Sequence, residues 1–366
     1  MFNLIPMKYY ETCFEDYVAE NNRVNLHPKL TKIYDAFPDS IDRLQNVIFY
    51  GPQGTGKYTQ MLSCIKKYSS TNLKYGKKLI ISFNKRPYYF KVSDVHFEVD
   101  MALLGCKSKL LWFDIYRHIV DIISMRKNAT GIIVCTNFHE IHAELLEHFY
   151  SYMQKNETAR VNVRFVLITE QLSFIGDNIL NCCHVIHVGR PSAAAYRSCV
   201  CTNSHRAPPF VPKFITNIKH LRHAAPASSP DSADAICLTT NVDHPYRAMC
   251  DRILYFITHI LELRFLKFRD IIYDIFIYGL NIADCVWYIQ TELVRQNKIR
   301  PRYLSDLMKQ TYIFFKYYNN NYRPVYHLEK YLYFLISIIY EYGDEKERRL
   351  AATHVPVPVV PVPFAT

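Results

Sequence analysis

No run in this sequence is long and apolar enough to cross a bilayer. The most apolar late stretch, Tyr331 to Tyr340, is short and flanked by charge. The opening residues, MFNLIPMKYYETCFEDY, lack a basic segment leading into an apolar core, so no secretory signal is expected. Without one, the 11 cysteines, an odd number, read as reduced thiols of a soluble intracellular protein rather than as a disulfide framework. Paired CxxC spacing is also missing. Cys182, Cys183, Cys199 and Cys201 form CC and CxC, poor spacings for tetrahedral zinc. His139 and His142 flank Glu140 as HEIH, which lacks the four-residue histidine spacing of a zinc protease. Glycine is scarce, 10 residues against 29 Tyr and 22 Phe, a bias that AT-rich coding also produces.

What is present is basic charge and alternating order. Lys and Arg total 44 against 33 Asp and Glu, a net charge of +11 over 366 residues, which suits a polyanion or an acidic partner. That length implies two or three domains. NVIFY, GIIVCT, RFVLIT and HVIHV read as buried strands separated by helical patterns, with YYFKV and HFEVDM as a hairpin around Ser93-Asp94. Strands alternating with helices predict a three-layer parallel sheet over about residues 1–189. Residues 190–245 are rich in Pro, Ala and Ser and read as a lid segment with a flexible insertion near 224–235. Helical periodicity then dominates residues 246–343 in five segments: Tyr246 to Leu263, Phe265 to Tyr278, Asn281 to Gln296, Tyr303 to Tyr318, and Val325 to Glu341. In the second, Phe268, Ile271, Ile272, Ile275 and Phe276 form a core stripe. Residues 344–366 form a basic, then Val/Pro-rich tail of extended character.

The chemistry concentrates in FYGPQGTGKYTQ. Gly51, Pro52, Gln53, Gly54, Thr55, Gly56 and Lys57 follow a strand and precede a helix, the context of a phosphate-binding loop. Backbone amides there would wrap the phosphates of ATP or ADP, and Lys57 would neutralise their outer oxygens. Tyr58 occupies the position where a short hydroxyl should hold magnesium, and Thr59 comes one residue late. A second lesion lies after GIIVC, which continues Thr136-Asn137-Phe138-His139-Glu140 with no carboxylate at the strand end. The two together predict a loop that binds nucleotide weakly or not at all, with doubtful magnesium and poor hydrolysis.

The loop, the hairpin and LITEQLSFIGDNILNCCHVIHVGRPS together resemble the AAA+ small subunits of replication factor C-like clamp loaders, in a divergent, virus-type form. FRDIIYDIFIYGLNIADCVWYI looks like that family's helical collar. The resemblance implies an α/β AAA+ P-loop domain, a small helical lid and an all-α C-terminal collar through which subunits form a hetero-oligomeric ring. It implies other clamp-loader subunits, a sliding clamp and primer-template DNA as partners, no membrane, and work at a nuclear or cytoplasmic replication site. It places Thr169 at the sensor position and Cys182 where the family carries an arginine finger, with Arg190 a weak substitute. Lys107, Lys109, Arg117 and Arg126 are contributors to template contact on this reading, or an ordinary solvated helix face. The expected role is therefore a noncatalytic or weakly catalytic ring subunit. The alternatives are an active DNA-dependent P-loop ATPase, such as a motor or helicase-loading factor, and an NTPase-derived adaptor.

Overall fold

The parallel strands lead the architecture because their side chains serve two cores at once. The computed structural model describes residues 13–83, 86–154, 161–192, 194–195, 245–318 and 323–342. Two helices, α1 (Phe14–Arg23) and α2 (Pro28–Asp35), precede β1 (Asn46–Tyr50) and α3 (Lys57–Ile65). A hairpin of β2 (Lys77–Phe83) and β3 (Arg86–Val92) runs on into β4 (His96–Asp100). Then follow α4 (Ser108–Ser124), β5 (Thr130–Thr136), α5 (Ala143–Met153), β6 (Asn162–Thr169), α6 (Asp177–Asn181) and β7 (Cys183–His187). The sheet order is β2-β3-β4-β5-β6-β1-β7. From β4 to β7 all pairings are parallel, whereas β2–β3 and β3–β4 are antiparallel.

Alternation along β1 shows why three layers form. Val47 and Phe49 face a core built with Phe14, Tyr34, Met61 and Leu62 from α1 to α3. Ile48 faces the opposite core, with Trp112 from α4, Leu145 from α5 and Ile179 from α6. A strand buried on both faces reads as an unbroken apolar run, as NVIFY and GIIVCT do. The expected strands and the Ser93-Asp94 hairpin are all present. One strand was missed in the sequence: β2, KKLIISF, pairs along the outside of β3. After α3, Lys66–Tyr68 tightens into a 3-10 turn.

The chain divides into two compact units, Met1–Thr240 and Asn241–Thr366. The described part of the second is all helical: α7 (Pro245–Thr258), α8 (Phe265–Ile277), α9 (Ile282–Arg295), α10 (Leu304–Tyr318) and α11 (Pro324–Ile339). These are the five segments that periodicity marks, each within a few residues of its expected ends. The stripe on α8 is core, with Phe268, Ile271, Ile272 and Ile275 buried and Phe276 half-buried against them. Inside this bundle Gln290 donates to Thr311 Oγ1 at 2.5 Å and to the Tyr331 hydroxyl, so the buried polar groups satisfy one another. Arg269 grips Glu329 with two nitrogens at 3.1 and 2.9 Å. The observed fold class is thus the expected one: a parallel-sheet P-loop domain and a C-terminal helical domain. Most of the expected lid at 190–245, the tail from residue 343 on, and Cys199 and Cys201 lie outside the described residues.

Candidate functional site

The loop leaves the carboxyl end of β1, where ligand crevices of open α/β sheets form. Its first residue must be glycine because the backbone there touches the segment after β7. A Cβ on Gly51 would sit 2.1 Å from the Val188 carbonyl oxygen, whose own residue donates its amide to Tyr50 at 2.8 Å. Gly56 has φ +92° and caps α3, a left-handed conformation that a side chain would strain. The first intrahelical bond of α3 runs from Gln60 N to Gly56 O, so the amides of Lys57, Tyr58 and Thr59 precede it and face the loop end. That arrangement fits phosphate oxygens.

The loop's own interior is hydrogen-bonded. Lys57, buried to 9% exposure, donates its Nζ to the Gly51 and Pro52 carbonyls, each at 2.8 Å. Thr55 Oγ1 donates to Pro52 O at 3.1 Å, and His27 Nε2 donates to Thr55 O at 2.7 Å. Burial holds the His27 pKa below the usual histidine value, which keeps that ring neutral as a donor. Gln53 is exposed, and Pro52 and Gly54 are half-exposed at the tip.

Tyr58 does not point a hydroxyl toward a metal position. Its OH donates to Glu98 Oε1 at 2.7 Å, and its ring packs edge-on against Tyr17 at 4.9 Å. Burial, then the neighbouring Glu98 carboxylate, pushes the phenol pKa well above its usual value, so it remains a donor. Glu98 also accepts from His96 Nε2 at 3.1 Å, and His96 Nδ1 is 2.6 Å from Ser93 Oγ. All three of these partners are buried. The Ser-His-Glu chain resembles a hydrolytic constellation but is sealed inside the domain. It acts as a buried polar clamp that fixes Tyr58 inward. Thr59 is half-buried on α3.

The strand-end carboxylates correct one expectation. Thr136 and Asn137 end β5 without an acid, as read from the sequence. Glu140 lies in a 3-10 turn, Phe138–Glu140, and α5 begins at Ala143. The neighbouring strands supply what β5 lacks. Asp100 ends β4 in register with Thr136 and accepts from Asn137 Nδ2 at 3.0 Å, Asn137 being held left-handed at φ +50°. Glu170 follows β6, with Oε1 at 3.9 Å from His139 Nε2, and Glu140 Oε1 lies at 3.8 Å from that nitrogen. The pKa of His139 is lowered by burial against the raising influence of Glu140, and the fields of Lys57 and Asp100 also reach it. This places the loop lysine, the histidine and these acids at one edge of the sheet. HFEVD, an apolar strand closed by an acid, is the signal that could have found Asp100.

Other sequence-marked residues take mixed places. Thr169 is beside Tyr50 in the sheet, yet its hydroxyl donates to Gln171 O at 2.7 Å within its own turn, which removes it as a free sensor group. Cys182 caps the end of α6, and its thiol donates to Ile179 O at 3.1 Å. It lines a cavity of about 520 Å³ with Asn46 and Arg164, at the amino end of β1 and so remote from the phosphate loop. Arg190 is exposed after β7. Lys107 is exposed just before α4 and Lys109 and Arg117 are exposed along it, while Arg126 stacks over Phe97 at 4.9 Å.

No protein-family model matches this chain, and no curated protein matches it. Among solved structures it is similar to PCH-2 of C. elegans at 13% identity, with 50% of this chain and 44% of that one covered and a TM-score of 0.30. It is similar to a RuvB variant of Thermotoga maritima at 10% identity, with 52% of each chain covered and a TM-score of 0.30. The chain spans about half the length of the solved structures it matches.

Proposed function

We propose that this chain is a noncatalytic or weakly catalytic AAA+ subunit of a replication factor C-like clamp loader, which helps place a sliding clamp on primer-template DNA. The observation that carries the reading is the capture of Tyr58 by Glu98 within an otherwise intact phosphate loop. Loop amides and Lys57 would hold the phosphates of ATP or ADP once the lysine leaves the Gly51 and Pro52 carbonyls. Magnesium fits poorly, because the side chain at its ligand position is a phenol turned into the core. A subunit with such a loop contributes shape and contacts to its ring. The all-α unit, with exposed Trp287, Tyr312 and Tyr317, is the surface for that assembly.

A pull-down from cells expressing the tagged chain, with the nucleotide content of the same preparation measured, tests it. Copurifying ring subunits, slow turnover and an assembly unchanged by Lys57→Ala are expected. A monomeric chain without such partners would sink the proposal.

A second reading is favoured by Asp100 and Glu170: an active DNA-dependent P-loop ATPase whose metal shell draws on neighbouring strands. It requires brisk turnover that is lost in Lys57→Ala and sharply reduced in Asp100→Asn.

A further inference from the structure

The antiparallel hairpin β2–β3 extends the sheet beyond β4, and its two faces differ. Leu79, Ile81, Phe83 and Tyr88 pack on the core that holds Trp112. The opposite face pairs Ile80 with Tyr89 and Lys78 with Lys91. Ile80 is 57% exposed and Tyr89 58%, with Tyr75 at 62% just before the hairpin. Apolar side chains left in water on a sheet face are not explained by folding.

Charge decides what could cover that face. From Thr71 to Val92 the chain contains no Asp or Glu. Lys78 is exposed on that face, two residues from Ile80, and Lys74 is exposed next to Tyr75 in the chain. A purely apolar partner would leave these ammonium groups desolvated, and an acidic protein would leave the aromatic faces without a matching contact. Single-stranded nucleic acid satisfies both: bases stack on rings and flat apolar side chains while phosphates meet lysines.

We propose that the outer face of the β2–β3 hairpin is a platform for single-stranded nucleic acid, with Tyr89 stacking a base against Ile80 and with Lys74 and Lys78 tracking the backbone. It shares with the reading above only the premise that the chain engages nucleic acid, and it uses a surface distinct from the phosphate loop and from α4.

The test is fluorescence anisotropy on the full chain, using fluorescein-labelled oligo(dT), oligo(U) and a duplex of equal length. Both single strands, or one of them, bind more tightly than the duplex. Tyr89→Ala weakens the preferred strand about 5- to 100-fold. The double substitution Lys74→Glu and Lys78→Glu weakens it further and lowers the logarithmic salt slope by about 1.4. Melting temperatures stay near wild type because the side chains are exposed. Tyr89→Trp gives a readout that needs no loss of function: its added emission is quenched when oligonucleotide binds. Wild-type affinity in Tyr89→Ala and in the double lysine variant, duplex binding as tight as single strand, or no binding by the wild type overturns the platform. Hairpin variants that bind normally yet retain their ring partners overturn the platform and leave the subunit reading intact. Loss of binding in the hairpin variants of a chain that copurifies with no ring partners does the reverse.

Discussion

At the scale of single residues, the decisive contact is between Tyr58 and Glu98, 40 positions apart. Tyr58→Phe keeps the ring against Tyr17 and removes only the donor, leaving a buried carboxylate with one partner fewer. The expected loss is about 1–3 kcal/mol, seen as a lower urea midpoint at unchanged slope. An unchanged midpoint would show that the hydroxyl merely rests near Glu98. Sequence reading identified Tyr58 as a poor metal ligand, which needs only the size of the side chain. It could not say where the phenol goes, because its partner comes from another strand. A second residue-scale expectation concerns Cys182. A hydrogen bond from the Cys183 thiol, 3.9 Å away, together with Asn46, outweighs burial and lowers its pKa to about 7. The thiolate is the reactive form, so alkylation of Cys182 by iodoacetamide rises as pH passes about 7 and then levels off. An ordinary thiol keeps accelerating to beyond about pH 8.5. Peptide mapping of the alkylated sites across pH distinguishes the two.

At the scale of elements, legibility follows how local the signal is. NVIFY and the α8 stripe carry their burial in their own spacing, and both were read correctly from sequence. KKLIISF was not, since an edge strand with one face in water mixes lysines with an apolar run and matches neither a buried strand nor a clean alternation. Asp100 and Glu170 were missed for a different reason. A carboxylate was sought at the end of β5 alone, whereas parallel strands bring all their carboxyl ends to one edge and make β4 and β6 equal contributors. The loop glycines are legible as a motif, but the need for Gly51 is tertiary. Gly51→Ala would drive a methyl group into the Val188 carbonyl. The backbone must shift, with an expected cost of about 1–3 kcal/mol. Equilibrium unfolding measures that cost, and wild-type stability would mean that the segment after β7 yields freely. In the helical unit, Leu332 on α11 is fully buried. Leu332→Ala is expected to cost about 2–5 kcal/mol through the cavity it leaves.

At the scale of the whole molecule, the hydrophobic cores determine how the chain unfolds. Among the described residues, the helical core from Cys250 to Ile338 shares no buried residue with the two cores that flank the sheet. The flanking cores, by contrast, are joined through β1, β5 and β6, since neighbouring residues such as Phe49 and Ile48 enter opposite sides. Losing either sheet core therefore exposes the other, and the first unit should melt as one. The second unit has its own buried polar triad and its own ion pair. Calorimetry of the full chain is expected to resolve two transitions. Tyr58→Phe should lower only the transition of the sheet unit and Leu332→Ala only that of the helical unit, because each perturbs one core. If both variants lower both transitions together, the units fold as a single cooperative body, and the helical unit could not serve as a separable assembly surface.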